Sequence, residues 1–410
     1  MKLLVSAYAC EPGKGSEPAV GWNWVQALVR RGYRVHVITR SNNRESIESD
    51  PASRHPNLAF HYYDLPEWAR AWKRWPGGIY LYYLLWQIGA FRIARRLHAA
   101  EKFDRVHHAT FASFRQPSFM GMLGIPFVFG PVGGGETMPP QLRQGLSPGS
   151  RFSEAVRNLG NSLMALDPLM RATYSRARII ACTTSETMAR IPGRYRSKCI
   201  VQPAIGIDAA DILSAPRPRP RAPQFLFVGR LLYWKGLHLA FSALAEVRRE
   251  VPEVRLKIIG SGPDRIWLEA RARAAGVTDL LEWVHSMPHS QIAPEYRQSL
   301  ALVFPSLHDS GGLVILESLA AGLPVICLDL GGPGSLASPD CALIVAARHA
   351  GQGAVVEALA QAMISMATDH ALADRLAANA LSRSTQLTWD RAAASVYARL
   401  DARPSSSLHS

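Results

Sequence analysis

The sequence predicts an α/β protein built from two doubly wound domains. Three observations predict it. Short apolar runs of strand type alternate with helical apolar spacing through most of the chain. A proline-dense, charged stretch at 215–223, Ala-Pro-Arg-Pro-Arg-Pro-Arg-Ala-Pro, interrupts that alternation and suits extended backbone rather than a core. Beyond it the strand–helix pattern starts again.

In chain order, Lys2–Tyr8 reads as a first strand, followed by the glycine-rich loop Gly13-Lys14-Gly15-Ser16-Glu17-Pro18. Residues 20–31 carry helical spacing (Val20, Trp24, Leu28) and stop at Gly32, and Val35–Ile38 is the next strand. A strand–loop–helix–strand unit of this kind implies a parallel sheet. Further strands are predicted at Ala59–Tyr63, Arg105–His107, Phe127–Phe129 and Ile179–Ala181. This places a first domain at 1–214, a linker at 215–223 and a second domain at 224–387. The second domain opens with strand Phe225–Gly229, helix 236–249 and strand Arg255–Ile259. A helix at 264–275, strands Leu281–Val284 and Leu302–Pro305, a helix at 312–321 and strand Pro324–Leu328 follow. Helical stretches at about 354–380 and 388–401 close the chain, and no internal repeat is visible.

Apolar residues make up 48% of the 410 and charged residues 19%, which supports sizeable cores and argues against global disorder. None of the five cysteines forms a Cys-x-x-Cys pair, which fits a reducing compartment rather than a disulfide framework or zinc site. No charge-free apolar run reaches the ~18 residues that span a bilayer. The longest, Gly77–Phe91, falls short, and the apolar start is too short for a signal-peptide core. The expected location is therefore cytoplasmic. A net charge of +14 attracts anions in general, whether acidic lipid, nucleic acid or phosphorylated substrates. Most of that excess is arginine spread along the chain, so its clustering is more informative than its total.

The strongest local pattern lies at 303–324, where an apolar strand runs into His308-Asp309-Ser310-Gly311-Gly312 and then into a helix carrying Glu317. Glycines let the backbone approach a ligand and leave N–H groups open at a helix start, which suits phosphate. Asp309 and Glu317, eight residues apart, can divide a sugar and a ribose between them. Glycines alone would indicate an ordinary strand-to-helix loop; the two acids beside them point further. A second cluster, Val228 to Gly236, places Arg230 directly after a strand and Lys235 at the mouth of the next helix. Fixed cations there suit a diphosphate leaving group. No Asp-x-Asp pair or cysteine cluster supplies a metal site, so none is expected.

These segments resemble retaining glycosyltransferase family 4. The 303–324 stretch is similar to that family's acid-x7-acid signature, and Gly229-Arg230…Lys235-Gly236 to its phosphate clamp. The Gly13–Gly21 loop, the His107-His108 pair and Gly130-Pro131-Val132-Gly133-Gly134-Gly135 resemble features of its bacterial polysaccharide branch. One departure is Asp309, where the family usually has Glu. The resemblance implies a GT-B fold, two Rossmann-like domains facing across a cleft, with the helix 388–401 packing back on the first. It implies that Arg230 and Lys235 hold the donor diphosphate and that Ser310, Gly311, Gly312 and Leu313 offer N–H groups. Asp309 would contact the donor sugar and Glu317 the ribose. Gly15 and Ser16 would approach the phosphates, and His108 would touch the donor sugar near its reacting carbon. Glu17 is a weaker candidate for the acceptor side.

The implied reaction is metal-independent, retaining transfer from a nucleotide diphosphate sugar, a co-substrate with no further cofactor. The implied acceptor is a lipid-linked saccharide or glycan of envelope or exopolysaccharide assembly, with no nucleic-acid partner. A basic aromatic stretch at 66–98 reads as a means of peripheral attachment to an anionic membrane on the inner face. It carries Trp68, Arg70, Trp72, Lys73, Arg74, Trp75, Tyr80, Tyr82, Tyr83, Trp86, Arg92, Arg95 and Arg96. Aromatics forming core, with cations flanking them, explain the same pattern. The glycine loop lacks the third glycine of a dinucleotide fingerprint, and no phosphate-binding loop of kinase type occurs. A sugar-nucleotide-binding protein without transferase activity, an epimerase and a phosphorylase of the same fold stay open.

Overall fold

The computed structural model describes residues 1–75, 77–212 and 223–402. It divides into two compact units. The first comprises Met1–Gly135, Gly160–Ile205 and the C-terminal segment from Trp389; the second comprises Glu136–Leu159 and Gly206–Thr388.

The first unit is built on β1 (Lys2–Ala7), β2 (Arg34–Thr39), β3 (Leu58–Tyr62), β4 (Arg105–Thr110), β5 (Phe127–Val132), β6 (Ile179–Cys182) and β7 (Cys199–Val201). All pair in parallel, in the order β3-β2-β1-β4-β5-β6-β7. Because side chains alternate along a strand, Leu3, Val5 and Ala7 of β1 face one core layer and Leu4 the other. On the first face the helix Ser16–Arg30 packs Trp24, Val25 and Leu28 beside the C-terminal helix Trp389–Ala402, which contributes Trp389, Ala393, Val396 and Tyr397. Arg30 Nε bonds Asp390 Oδ1 at 3.0 Å, and Arg105 pairs with Asp401. On the other face the helix Gly78–Glu101 buries Tyr82, Tyr83, Trp86 and Ala90 against Phe127 and Phe129.

The second unit carries β8 (Gln224–Val228), β9 (Arg255–Ile259), β10 (Leu281–Val284), β11 (Leu302–Phe304), β12 (Val325–Leu328) and β13 (Ala342–Val345). They form a parallel sheet in the order β10-β9-β8-β11-β12-β13. Both sheets thus start in the middle, run outward to one edge, and cross back to fill the other. That is the doubly wound Rossmann order, whose switch point lies at the carboxyl ends of the first and fourth strands.

Glu136–Leu159 falls inside the range that the sequence pattern assigned to the first domain, yet it belongs to the second unit. The reason is polar. Glu154 accepts hydrogen bonds from Tyr233 OH at 2.8 Å and pairs with His308 Nε2 at 2.9 Å, and Glu136 accepts from Ser310 Oγ. Hydrophobic periodicity carries no trace of such contacts. Of the predicted linker, 215–222 lies outside the described residues.

Candidate functional site

The switch point of the second sheet gathers most of the residues singled out from sequence. β8 ends at Val228 and delivers Gly229 and Arg230; β11 ends at Phe304 and delivers the loop through Gly312. Lys235 Nζ lies 2.5 Å from Asp309 Oδ2, and Ser306 Oγ donates to the same oxygen at 2.9 Å. The Lys235 ammonium also sits 4.9 Å from the centroid of the Phe304 ring. Arg230 is exposed. The close approach that brings Lys235 here depends on Gly236: its φ is +75°, and a Cβ would stand 1.9 Å from the Pro305 carbonyl oxygen.

The helix Leu313–Ala320 starts at Gly312 with no side-chain cap. A helix start without a side-chain cap leaves N–H groups open, the electrostatic setting for an anion. Glu317 is half-buried one turn further on and accepts a hydrogen bond from Tyr296 OH at 2.8 Å. A second glycine turn braces the acid loop. Gly332 N–H donates to the Asp309 carbonyl oxygen at 2.6 Å, and Gly331 has φ +57°, with a Cβ there falling 2.2 Å from the same oxygen. Burial works to raise the Glu154 carboxyl, but hydrogen bonds from His308 and Tyr233 outweigh it and hold the group below its ordinary value. A charged Glu154 therefore anchors the histidine that precedes Asp309. Glu136, Glu154, Tyr296 and the Gly331-Gly332 turn were not singled out from sequence; none sits in a recognisable spacing, and only burial and partners reveal them.

In the first unit the corresponding switch point lies where β1 and β4 end. Gly15 caps the start of the helix Ser16–Arg30, exposed and with open space around it. The Ser16 side chain lies outside the described residues. Glu17 accepts a hydrogen bond from the N–H of Phe111, a bulky residue held at φ +54°. Glu17, Tyr80, Phe111, Ser113, Arg115 and Met164 line a cleft of about 490 Å³. Burial raises the Glu17 carboxyl, only partly offset by the Phe111 N–H.

His108 departs from its expected place. It is fully buried, with Nε2 2.9 Å from Tyr83 OH, and burial drives it down to about 3. In this arrangement the ring has no face open to a sugar. His107 is likewise internal: Nε2 donates to the Gly130 carbonyl oxygen at 2.7 Å, which leaves Nδ1 to accept from Tyr397 OH at 3.1 Å. The 66–98 stretch divides. Tyr82, Tyr83 and Trp86 are core, and Trp86 Nε1 donates to the Tyr63 carbonyl oxygen at 2.9 Å. Trp68, Trp75 and Tyr80 are exposed with Arg70, Arg92, Arg95 and Arg96, while the Arg74 side chain lies outside the described residues. A continuous aromatic membrane face over 66–98 is thereby corrected to a few exposed rings around a buried cluster.

Residues 15–200 match the family described as Glycosyl transferase 4-like domain, and residues 211–383 match Glycosyl transferases group 1. The chain therefore carries a glycosyl transferase 4-like domain followed by a glycosyl transferases group 1 domain. Among curated relatives it is 36% identical over 182 residues to a glycogen synthase of Mycobacterium tuberculosis, covering 44% of this chain and 42% of that protein. It is 29% identical over 280 residues to a D-inositol 3-phosphate glycosyltransferase of Streptomyces avermitilis, covering 63% and 57%. The chain thus spans about half the length of the curated relatives it matches. Among solved structures, sucrose-phosphate synthase from Thermosynechococcus elongatus superposes with a TM-score of 0.64 at 18% identity over 98% of this chain and 99% of that one. HepE from Anabaena, solved with UDP-glucose, gives 0.60 at 14% identity over 98% and 100%. WaaG, described as a glycosyltransferase involved in lipopolysaccharide biosynthesis, gives 0.59 at 18% over 96% and 99%. These likenesses establish the GT-B fold.

Proposed function

We propose that the protein transfers a sugar from a nucleoside diphosphate donor to a saccharide acceptor, with retention at the anomeric carbon and without a metal ion. The observation that carries this reading is the Lys235–Asp309 pair beside an uncapped helix start at the switch point of the second sheet. The two domain matches support the reaction class, and HepE was solved with UDP-glucose. Arg230, Lys235 and the N–H groups from Ser310 to Leu313 neutralise the departing diphosphate. Asp309 receives sugar hydroxyls, exchanging its ion pair for the donor, and Glu317, oriented by Tyr296, holds the ribose. The bond from the anomeric carbon to the leaving phosphate oxygen breaks as the acceptor oxygen attacks the same face, and that phosphate oxygen takes the acceptor's proton.

The acceptor is a lipid-borne saccharide or glycan of envelope or exopolysaccharide assembly, and the protein works in the cytoplasm at the inner membrane face. The cleft at the switch point of the first sheet, with the Tyr80 and Phe111 rings, the Glu17 carboxylate and Arg115, has the chemistry of a sugar site. The test is turnover of UDP- and GDP-sugars by purified protein, with product stereochemistry read by NMR. Retention and full activity in excess EDTA are expected, and Lys235→Ala is expected to be severely impaired. An inverted product, or EDTA inhibition reversed by Mg²⁺ or Mn²⁺, overturns the mechanism.

A further inference from the structure

The helix Pro148–Leu163 is inverted with respect to water. It buries Glu154 and Asn161, while Phe152 is 71% exposed, Val156 53%, Leu159 62% and Leu163 50%. Those four are spaced four, three and four residues apart, one continuous face of a helix, about 17 Å long. A surface helix of a globular protein ordinarily turns such a stripe inward. Isolated exposed leucines are common; an ordered row of them backed by buried polar side chains marks a contact surface. On the polar side Tyr233 and His308 bond Glu154, and the Arg157 guanidinium donates to the Glu136 carbonyl oxygen at 2.9 Å. Nothing among the described residues covers the apolar side.

The charge around it selects the occupant. Between Arg143 and Arg178 the sequence has six arginines (143, 151, 157, 171, 176 and 178) and two acids, Glu154 and Asp167. Glu154 is buried, and Asp167 caps the helix Pro168–Arg176. Of the six arginines, Arg151, beside Phe152, and Arg176 are exposed, and the other four are half-buried. An apolar stripe flanked by arginine fits a bilayer interface with anionic headgroups, where the apolar face enters the acyl boundary and each cation meets phosphate. The stripe also leads somewhere. The chain continues from Leu163 into Met164, which lines the first unit's cleft, and then into exposed Leu166 and Leu169. Tyr80, which lines the same cleft, is exposed next to exposed Leu81.

We propose that the face Phe152–Val156–Leu159–Leu163 docks the protein on an anionic membrane that carries its lipid-borne acceptor. The proposal rests on the reading of the acceptor above for its purpose, but the docking itself is measured separately. Full-length protein is sedimented with vesicles of phosphatidylglycerol mixed with phosphatidylethanolamine, and with phosphatidylcholine alone. Wild type is expected to bind the anionic vesicles, and high salt to weaken that binding. The variant Phe152→Ser/Leu159→Ser/Leu163→Ser is expected to lose about a hundredfold in partitioning with its thermal midpoint unchanged. Should that variant fail to fold, the reversal Arg151→Glu/Arg171→Glu at the surface is expected to lose about tenfold. Absence of wild-type binding, or binding by both variants equal to wild type, overturns the proposal. So does light scattering that finds a wild-type dimer and a monomeric serine variant, because a second copy then covers the stripe. Sugar-nucleotide hydrolysis in the same preparations reports on the transferase reading alone: its absence in vesicle-bound wild type counts against that reading and leaves the docking standing.

Discussion

Glu317 and Glu17 are both half-buried carboxylates, and their partners give them different work. Tyr296 donates to Glu317 and fixes its direction. Replacing Glu317 by Gln keeps the shape and removes the charge, and is expected to lower kcat/KM about 100-fold, equivalent to about 3 kcal/mol of transition-state stabilisation. Steady-state kinetics with the correct donor checks it, and a wild-type rate removes Glu317 from the site. Glu17 is the reverse case for stability. Burial raises its folded pKa, so the native state holds the proton more tightly than the unfolded chain. Its stabilising contribution is present in acid and is lost as pH rises through the folded value. Glu17→Gln keeps an oxygen for the Phe111 N–H and is expected to melt higher than wild type near pH 8. The two should converge below about pH 4, where both side chains are neutral.

At the scale of elements, the helix Leu237–Glu250 carries an internal cost. His238 is buried in it with neither ring nitrogen bonded among the described residues, its ring lying edge-on to Trp267. Burial depresses it to about 4, as it depresses His107 to about 4 and His108 to about 3. For a depressed histidine the unfolded chain binds the proton better. Stability is full above about pH 6.5 and falls by about 1.4 kcal/mol per pH unit per group as pH drops toward the folded value. His238→Leu is therefore expected to raise the thermal midpoint at neutral pH and to reduce the slope between pH 6 and 5 by about 1 kcal/mol per pH unit. Scanning calorimetry of both proteins across that range decides it; an unchanged slope means that His238 is hydrated. The elements themselves were legible wherever an apolar run and a turn residue coincided, as in β1, β2, β8 and β9. β7 and β13 were not, since Cys-Ile-Val and Ala-Leu-Ile-Val, at three and four residues, are too short for periodicity to separate a strand from a buried turn.

For the whole molecule, the chain's last helix decides whether the first unit has a core. Trp389, Ala393, Val396 and Tyr397 fill the layer that Trp24, Val25 and Leu28 leave open, and Tyr397 satisfies His107. Truncation after Thr388 exposes that layer and orphans a buried imidazole. The truncated chain is expected to be insoluble or to melt far below wild type, although all of the residues proposed to act lie before the cut. Circular dichroism and solubility of the two chains test it; a truncated protein with wild-type stability would show that the helix is dispensable.

Local pattern was enough to identify two doubly wound domains, the glycine turns at the ends of β1, β8 and β11, and the candidate acids and cations of the second unit. These depend on periodicity, spacing and the special conformations of glycine, all of which act over a few residues. Only the tertiary structure decided which unit owns Glu136–Leu159, that His108 and half of the 66–98 aromatics are core, and that the helix Pro148–Leu163 turns its leucines to water. Each of those rests on a partner distant in sequence: Tyr83 for His108, Tyr63 for Trp86, and Tyr233 and His308 for Glu154. A histidine, an aromatic or an amphipathic helix has the same signature whether it faces a core, a ligand or a membrane, and only the neighbours brought by folding separate those outcomes.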